Sequence, residues 1–138
     1  QSGLDNSSAV LMPKHSVLLS TRAPIGYLAI SSNEICTNQG FISCIPYEDN
    51  TRMYLLYNLK ERVEEIKQSA GGSTFLEISK TSFRNMEIIL PTQKILNDFN
   101  DVVVQIVKKM ETLTESKVLL QEARDRLLPK LMSGEIEV

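Results

Sequence analysis

From Thr92 to Leu131 the chain reads TQKILNDFNDVVVQIVKKMETLTESKVLLQEARDRLLPKL. Placing Leu96 at the first position of a heptad gives the series Leu96, Phe99, Val103, Ile106, Met110, Leu113, Lys117, Leu120, Arg124, Leu127 and Leu131, of which nine of eleven are apolar. A 3.5-residue period held this long argues for a coiled-coil seam rather than a helix lying on a globular core. At 1.5 Å per residue the segment spans about 60 Å. The residues before it are too few to cover such a stripe along its whole length, so the stripe must find another helix, whether a second helix of a longer protein or a second copy of this chain. Lys117 and Arg124 are polar at core positions, where they set register or extend their charged ends to water. Pro129 predicts a kink or fraying point and Gly134 a stop.

Working back from the helix, the sequence divides near Pro91 into a mixed region, 1–91, and the helical region with its tail, 92–138. The fold class expected is α/β, of the α+β kind, followed by a long coiled-coil-forming helix. Val17–Ser20 and Tyr27–Ser31 read as buried strands joined through the Arg22–Gly26 loop, with its Pro24 and Gly26. Ile35–Thr37 and Phe41–Ile45 repeat the arrangement around Asn38-Gln39-Gly40. A helix follows, because Asp49, Asn50 and Thr51 offer capping oxygens and Leu55, Leu59, Val63, Ile66 and Ala70 recur at helical spacing, with Gly71 and Gly72 as its stop. Met86–Leu90 reads as a last strand, ending at Pro91.

Composition bounds the function. The 138 residues carry a net charge of −2, with 42% hydrophobic and 23% charged residues, which suits one soluble domain. No apolar run is long enough to cross a bilayer and no secretory signal opens the chain, so no membrane role is expected and the protein reads as cytoplasmic. The start at Gln1 and the polar residues after it read as a truncated product. Residues 1–92 hold eight Lys/Arg against nine Asp/Glu, and residues 93–138 seven against eight, so neither part is a basic nucleic-acid coat. Cys36 and Cys44 read as small buried hydrophobes, since zinc needs more ligands than these and His15 supply. His15 itself falls in a turn after Pro13-Lys14.

Catalytic patterns are missing. No glycine-rich dinucleotide turn and no phosphate loop with its lysine is present. Gly71-Gly72-Ser73-Thr74 follows the carbonyl end of a helix, where the dipole disfavours anions. Glu65-Ile66-Lys67 has no companion Pro-Asp for a nuclease site, and for Ser20, Ser43 and Ser73 the sole candidate base, His15, has no evident orienting partner in the sequence. The chain is therefore expected to be no enzyme, with no metal site and no cofactor of its own. What remains are polar loop residues able to read base edges: Thr21, Arg22, Asn38, Gln39, Ser73, Thr74 and Lys80, with Ser82 and Arg84 nearby. Arg can bind guanine, and Asn or Gln adenine, through paired hydrogen bonds.

Several segments together resemble the specificity subunits of type I restriction–modification systems. They are Gly3–Ala9, Val17–Gly26, Thr37–Phe41, Gly72–Phe75 with Ile78-Ser79-Lys80, Ile89-Leu90-Pro91, and Leu127–Ile136. Their order and spacing cover nearly the whole chain. The resemblance implies part of a target-recognition domain that reads half of a bipartite duplex DNA sequence, then a spacer helix that pairs with a second spacer and holds the half-sites apart. It also implies a scaffold for methyltransferase and restriction subunits, with S-adenosylmethionine and ATP with magnesium used by those partners. On this pattern the chain corresponds to the C-terminal piece of a subunit, or else to a first-domain fragment ending in the central spacer. The rival reading from the residues alone is a coiled-coil assembly protein with no DNA role.

Overall fold

The structure, a computed structural model, describes residue 6, residues 9–72 and residues 76–136. The short strand β1, Val17–Ser20, is the centre of a three-stranded antiparallel sheet. It pairs with β2, Leu28–Ile30, through Val17 opposite Ile30, and with β3, Phe41–Cys44, through Val17 opposite Cys44. All four β1 residues are buried, which requires both faces of the strand to be covered. Two short helices share the core with the sheet: α1, Arg52–Glu61, and α2, Val63–Gln68, the first entered through a 3-10 turn at Asp49–Thr51. Val17, Leu19, Ile25, Ile42, Leu59, Ile66 and Ile78 form the core, with Leu55, Ala70, Phe83 and Met86 packed around it. Most of the helical positions marked by spacing are thus core positions, and the fold is α+β as the pattern of elements predicts.

Three local expectations need correction. Ile35–Thr37 is not a strand: only Ile35 pairs, exchanging backbone hydrogen bonds with Met12 at 2.8 and 3.0 Å. Met86–Leu90 is not a strand either, because side chains take its carbonyls: Arg62 Nη1 donates to Glu87 O at 2.6 Å and the Tyr54 hydroxyl donates to Ile89 O. The single helix expected over 51–70 is interrupted at Arg62, whose φ of −99° and ψ of 11° leave the helical region. There the Arg62 guanidinium donates to both carboxylate oxygens of Glu65 at 2.7 Å, so the interruption is stapled by a bidentate pair.

After the third helix, α3, Lys80–Arg84, capped by Ser79 accepting from the Ser82 N–H at 3.0 Å, comes α4, Gln93–Met132, 40 residues long. Its root is tied to the mixed body. Leu96 is buried, Phe99 meets Tyr57 edge to face at 6.4 Å, and Asn97 Oδ1 accepts from Asn50 Nδ2 at 2.6 Å. The helix runs through Pro129, which removes one hydrogen bond while neighbouring turns persist. It stops at Gly134, with φ of 75°: Gly134 N–H bonds Leu131 O at 3.2 Å and Glu135 N–H bonds Lys130 O at 2.9 Å, the paired bonds of a glycine-terminated helix. Contacts group the chain into two compact units, Gln1–Asn100 and Asp101–Val138. Among the described residues no helix is long and apolar enough to cross a membrane.

Candidate nucleic-acid interface

The loops marked by sequence meet at Thr21. This residue is 2% exposed. Its N–H donates to Gly40 O at 2.8 Å, its carbonyl accepts from Ile78 N–H at 3.1 Å, and its hydroxyl donates to Glu77 Oε1 at 3.3 Å. One buried threonine thus joins the loop after β1, the loop before β3 and the segment leading to α3. Its hydroxyl is spent inside the protein. Arg22, next to it, reaches Glu77 at 3.6 Å with both side chains about two-fifths exposed (41% and 40%). Such a half-exposed pair is weakly held, which leaves the guanidinium free to exchange partners.

The loop between β1 and β2 is held just as closely. Ser20 Oγ donates to Pro24 O at 2.7 Å and accepts from Tyr27 N–H at 2.8 Å. Gly26 has φ of +103°, and a Cβ there would lie 2.5 Å from Val63 Cγ1, so the loop is seated against the start of α2 where only hydrogen fits.

Asn38 Oδ1 accepts from Gly40 N–H at 2.9 Å, a local turn that holds the amide in place. Gln39 is exposed and bonds to no other group among the described residues, so its amide is the freer of the two. Across from them, Lys80 and Arg84 stand one turn apart on α3. Asn38, Gln39, Phe41, Lys80, Phe83 and Arg84 line a groove of about 710 Å³ whose described lining holds two cations and no carboxylate. Ser73 and Thr74 lie outside the described residues. The loop that carries them is closed by Gly71 and Glu77, which exchange backbone hydrogen bonds at 3.1 and 3.0 Å.

A larger hollow of about 1020 Å³, beside α1 and α2, differs in charge, since Glu65 and Glu87 line it along with Arg62. Phosphate therefore favours the smaller groove. Charge placement is what sequence reading missed: no carboxylate is among the described residues lining this groove, which the overall balance of −2 conceals. Cys44 borders the groove, but burial pushes its thiol up to about 11, which makes it inert as a nucleophile. Among the described residues no cluster of three His, Cys, Asp or Glu could hold a metal.

On α4, the expected seam residues divide between the two units. Leu96 and Phe99 belong to the first. In the second, Val103 is buried, whereas Ile106, Met110, Leu113, Leu120, Leu127 and Leu131 are all exposed, between 39% and 69%.

The chain is thus a sheet-and-helix body carrying polar loops, followed by a long helix whose apolar seam is exposed beyond Val103. The chain belongs to the family described as type I restriction modification DNA specificity domain, which matches residues 1–128. It is 39% identical over 112 residues, 75% of this chain, to the type I restriction enzyme MjaIX specificity subunit of Methanocaldococcus jannaschii. It is 32% identical over 137 residues, 97% of this chain, to the HindI specificity subunit of Haemophilus influenzae. Among solved structures, the type I restriction–modification S subunit from M. genitalium shares the fold over 88% of this chain, with a TM-score of 0.72 at 18% identity. A second, from a study of complex assembly and conformational transition of the type I system, gives a TM-score of 0.57 at 25% identity over 85% of this chain. The chain spans 26% and 30% of those two relatives and 33% and 29% of those two structures.

Proposed function

We propose that this chain reads one half of a bipartite duplex DNA target and, through α4, spaces that half from the other. The observation that carries the reading is the groove between the Asn38–Gly40 loop and α3, where Lys80 and Arg84 supply charge for phosphates and Gln39 and Asn38 supply amides for base edges. Thr21 acts from inside, fixing the three loops on one another, and Arg22 reads or anchors DNA once it leaves Glu77. In this reading α4 pairs with a second spacer helix in the intact subunit. Methyltransferase and restriction subunits assemble on it and carry out methyl transfer from S-adenosylmethionine and ATP-driven cleavage with magnesium. The chain itself supplies readout and spacing, and its partners supply most of the phosphate grip, consistent with a chain that has no excess of cations.

The test is to coexpress the parent subunit with its methyltransferase partner, methylate plasmid DNA and map methyladenine. A split motif is expected, altered in one half by Gln39→Ala. Lys80→Ala should weaken binding to all sequences alike and reduce the salt slope by about one. Absence of any split motif, or a motif indifferent to Gln39, Lys80 and Arg84 changed together, overturns the reading in favour of an assembly protein without a DNA role.

A further inference from the structure

The seam of α4 is sorted by charge. With Leu96 at position a, the flanking e positions are Asn100, Val107, Thr114, Gln121 and Leu128, and the flanking g positions are Val102, Lys109, Ser116, Ala123 and Lys130. Together with Lys117 and Arg124 at a, the face that meets a partner carries four cations and no carboxylate. The acids of the helix, Asp98, Asp101, Glu111, Glu115, Glu122 and Asp125, all fall on the outer positions b, c and f. Midway along lies a hollow of about 380 Å³ lined by Leu113, Ser116, Lys117, Leu120, Gln121 and Arg124. These residues frame the kind of hole into which a coiled-coil partner inserts a side chain. Lys117 and Arg124 flank it, about 10 Å apart along the axis.

We propose that this seam selects an apolar helix bearing carboxylates beside its own seam, one of them seated between Lys117 and Arg124, and disfavours a second copy of this chain. The inference rests on the reading of α4 as a spacer and names the chemistry of its mate. A second copy brings the same face. Aligned parallel, Lys117 meets Lys117 and Arg124 meets Arg124; aligned antiparallel, four further cations enter a seam that holds no acid. Closing it would take Lys117 from water without a counter-charge and Arg124 with only its pair to Asp125, which is unfavourable, whereas carboxylates from a different helix supply the missing negative charge. Existing ion pairs do not prevent this exchange. Arg124 bonds Asp125 at 2.7 Å and Lys130 bonds Glu135 at 3.2 Å, but these pairs are exposed and weak. Lys109 and Lys117 make no ion pair among the described residues.

The experiment titrates the full chain against three helical peptides of about five heptads, each with Leu at a and d and with Glu, Gln or Lys at e and g. The Glu peptide should bind about ten-fold more tightly than the Gln peptide, an advantage lost in about 1 M salt. Lys117→Glu with Arg124→Glu should transfer the preference to the Lys peptide, while Leu120→Glu should abolish binding of all three. Sedimentation should show the chain alone as a monomer at concentrations where it forms a heterodimer with the Glu peptide. Equal binding of the Glu and Gln peptides, no binding of any peptide, or a stable dimer of the chain that the double charge reversal leaves intact would each overturn the proposal. The methylation map is independent of this titration, so failure of either reading shows without the other.

Discussion

Replacing Gly26 with alanine tests the loop geometry on which the recognition face depends. Two separate penalties follow from the structure. The backbone φ of +103° is strained for any residue with a Cβ, at about 1–3 kcal/mol. The added methyl would stand 2.5 Å from Val63 Cγ1 and 3.4 Å from Cγ2, and relieving that overlap at the start of α2 adds about 1–3 kcal/mol. The expected loss is about 4 kcal/mol, a large share of the roughly 5–15 kcal/mol that holds a domain of this size. Urea denaturation followed by circular dichroism measures it, provided the slope m is unchanged. A double-mutant cycle with Val63→Ala divides the two terms, because shortening Val63 removes the overlap and leaves the φ penalty. Coupling of about 1–3 kcal/mol is expected in favour of the double mutant. A Gly26→Ala loss below about 1 kcal/mol, or a cycle with no coupling, would refute the close approach. Gly71, whose added Cβ would meet nothing within 4 Å, is the matched control and should tolerate alanine.

Other outcomes follow from the same geometry. Ser20→Ala removes the bonds to Pro24 O and from Tyr27 N–H and should destabilise by about 1–3 kcal/mol, measured by the same denaturation; a neutral result would mean the loop holds without them. Iodoacetamide at pH 8 should label exposed Cys36 about ten-fold or more faster than Cys44, whose thiol burial pushes up to about 11; equal rates by mass spectrometry would contradict the burial. Hydrogen bonds from Arg62 hold the Glu65 carboxyl below its ordinary value of 4.5, so its contribution is present above that value and is lost as pH falls through the depressed one. Glu65→Gln should therefore flatten the acid limb of a stability–pH profile slightly, and a limb identical to wild type would sink this assignment.

The elements that local periodicity can express were legible early. The heptad series announced α4 because a 3.5-residue repeat is written in consecutive residues, and Leu55, Leu59 and Ile66 marked the core face of α1 and α2 for the same reason. Periodicity failed where side chains compete for the backbone. Met86–Leu90 has the apolar content of a strand, yet Arg62 and Tyr54, distant in sequence, occupy the carbonyls a neighbouring strand would need. Arg62 also ends α1 inside a run that spacing reads as continuous.

The sequence by itself determined a sheet-and-helix body, a long helix with an unpaired apolar seam and the family to which both belong, since each is carried by neighbouring residues. Only the tertiary structure decided which polar residues act together. Thr21 was one candidate among several until folding buried it as the junction of segments up to 57 positions apart, through its bond from Ile78 N–H. Folding also set Lys80 and Arg84 across a groove from Gln39 while Glu77 turned to Arg22. A net charge is a sum over the chain, but a phosphate responds to the charges within a Debye length of it, and only the fold decides which charges those are.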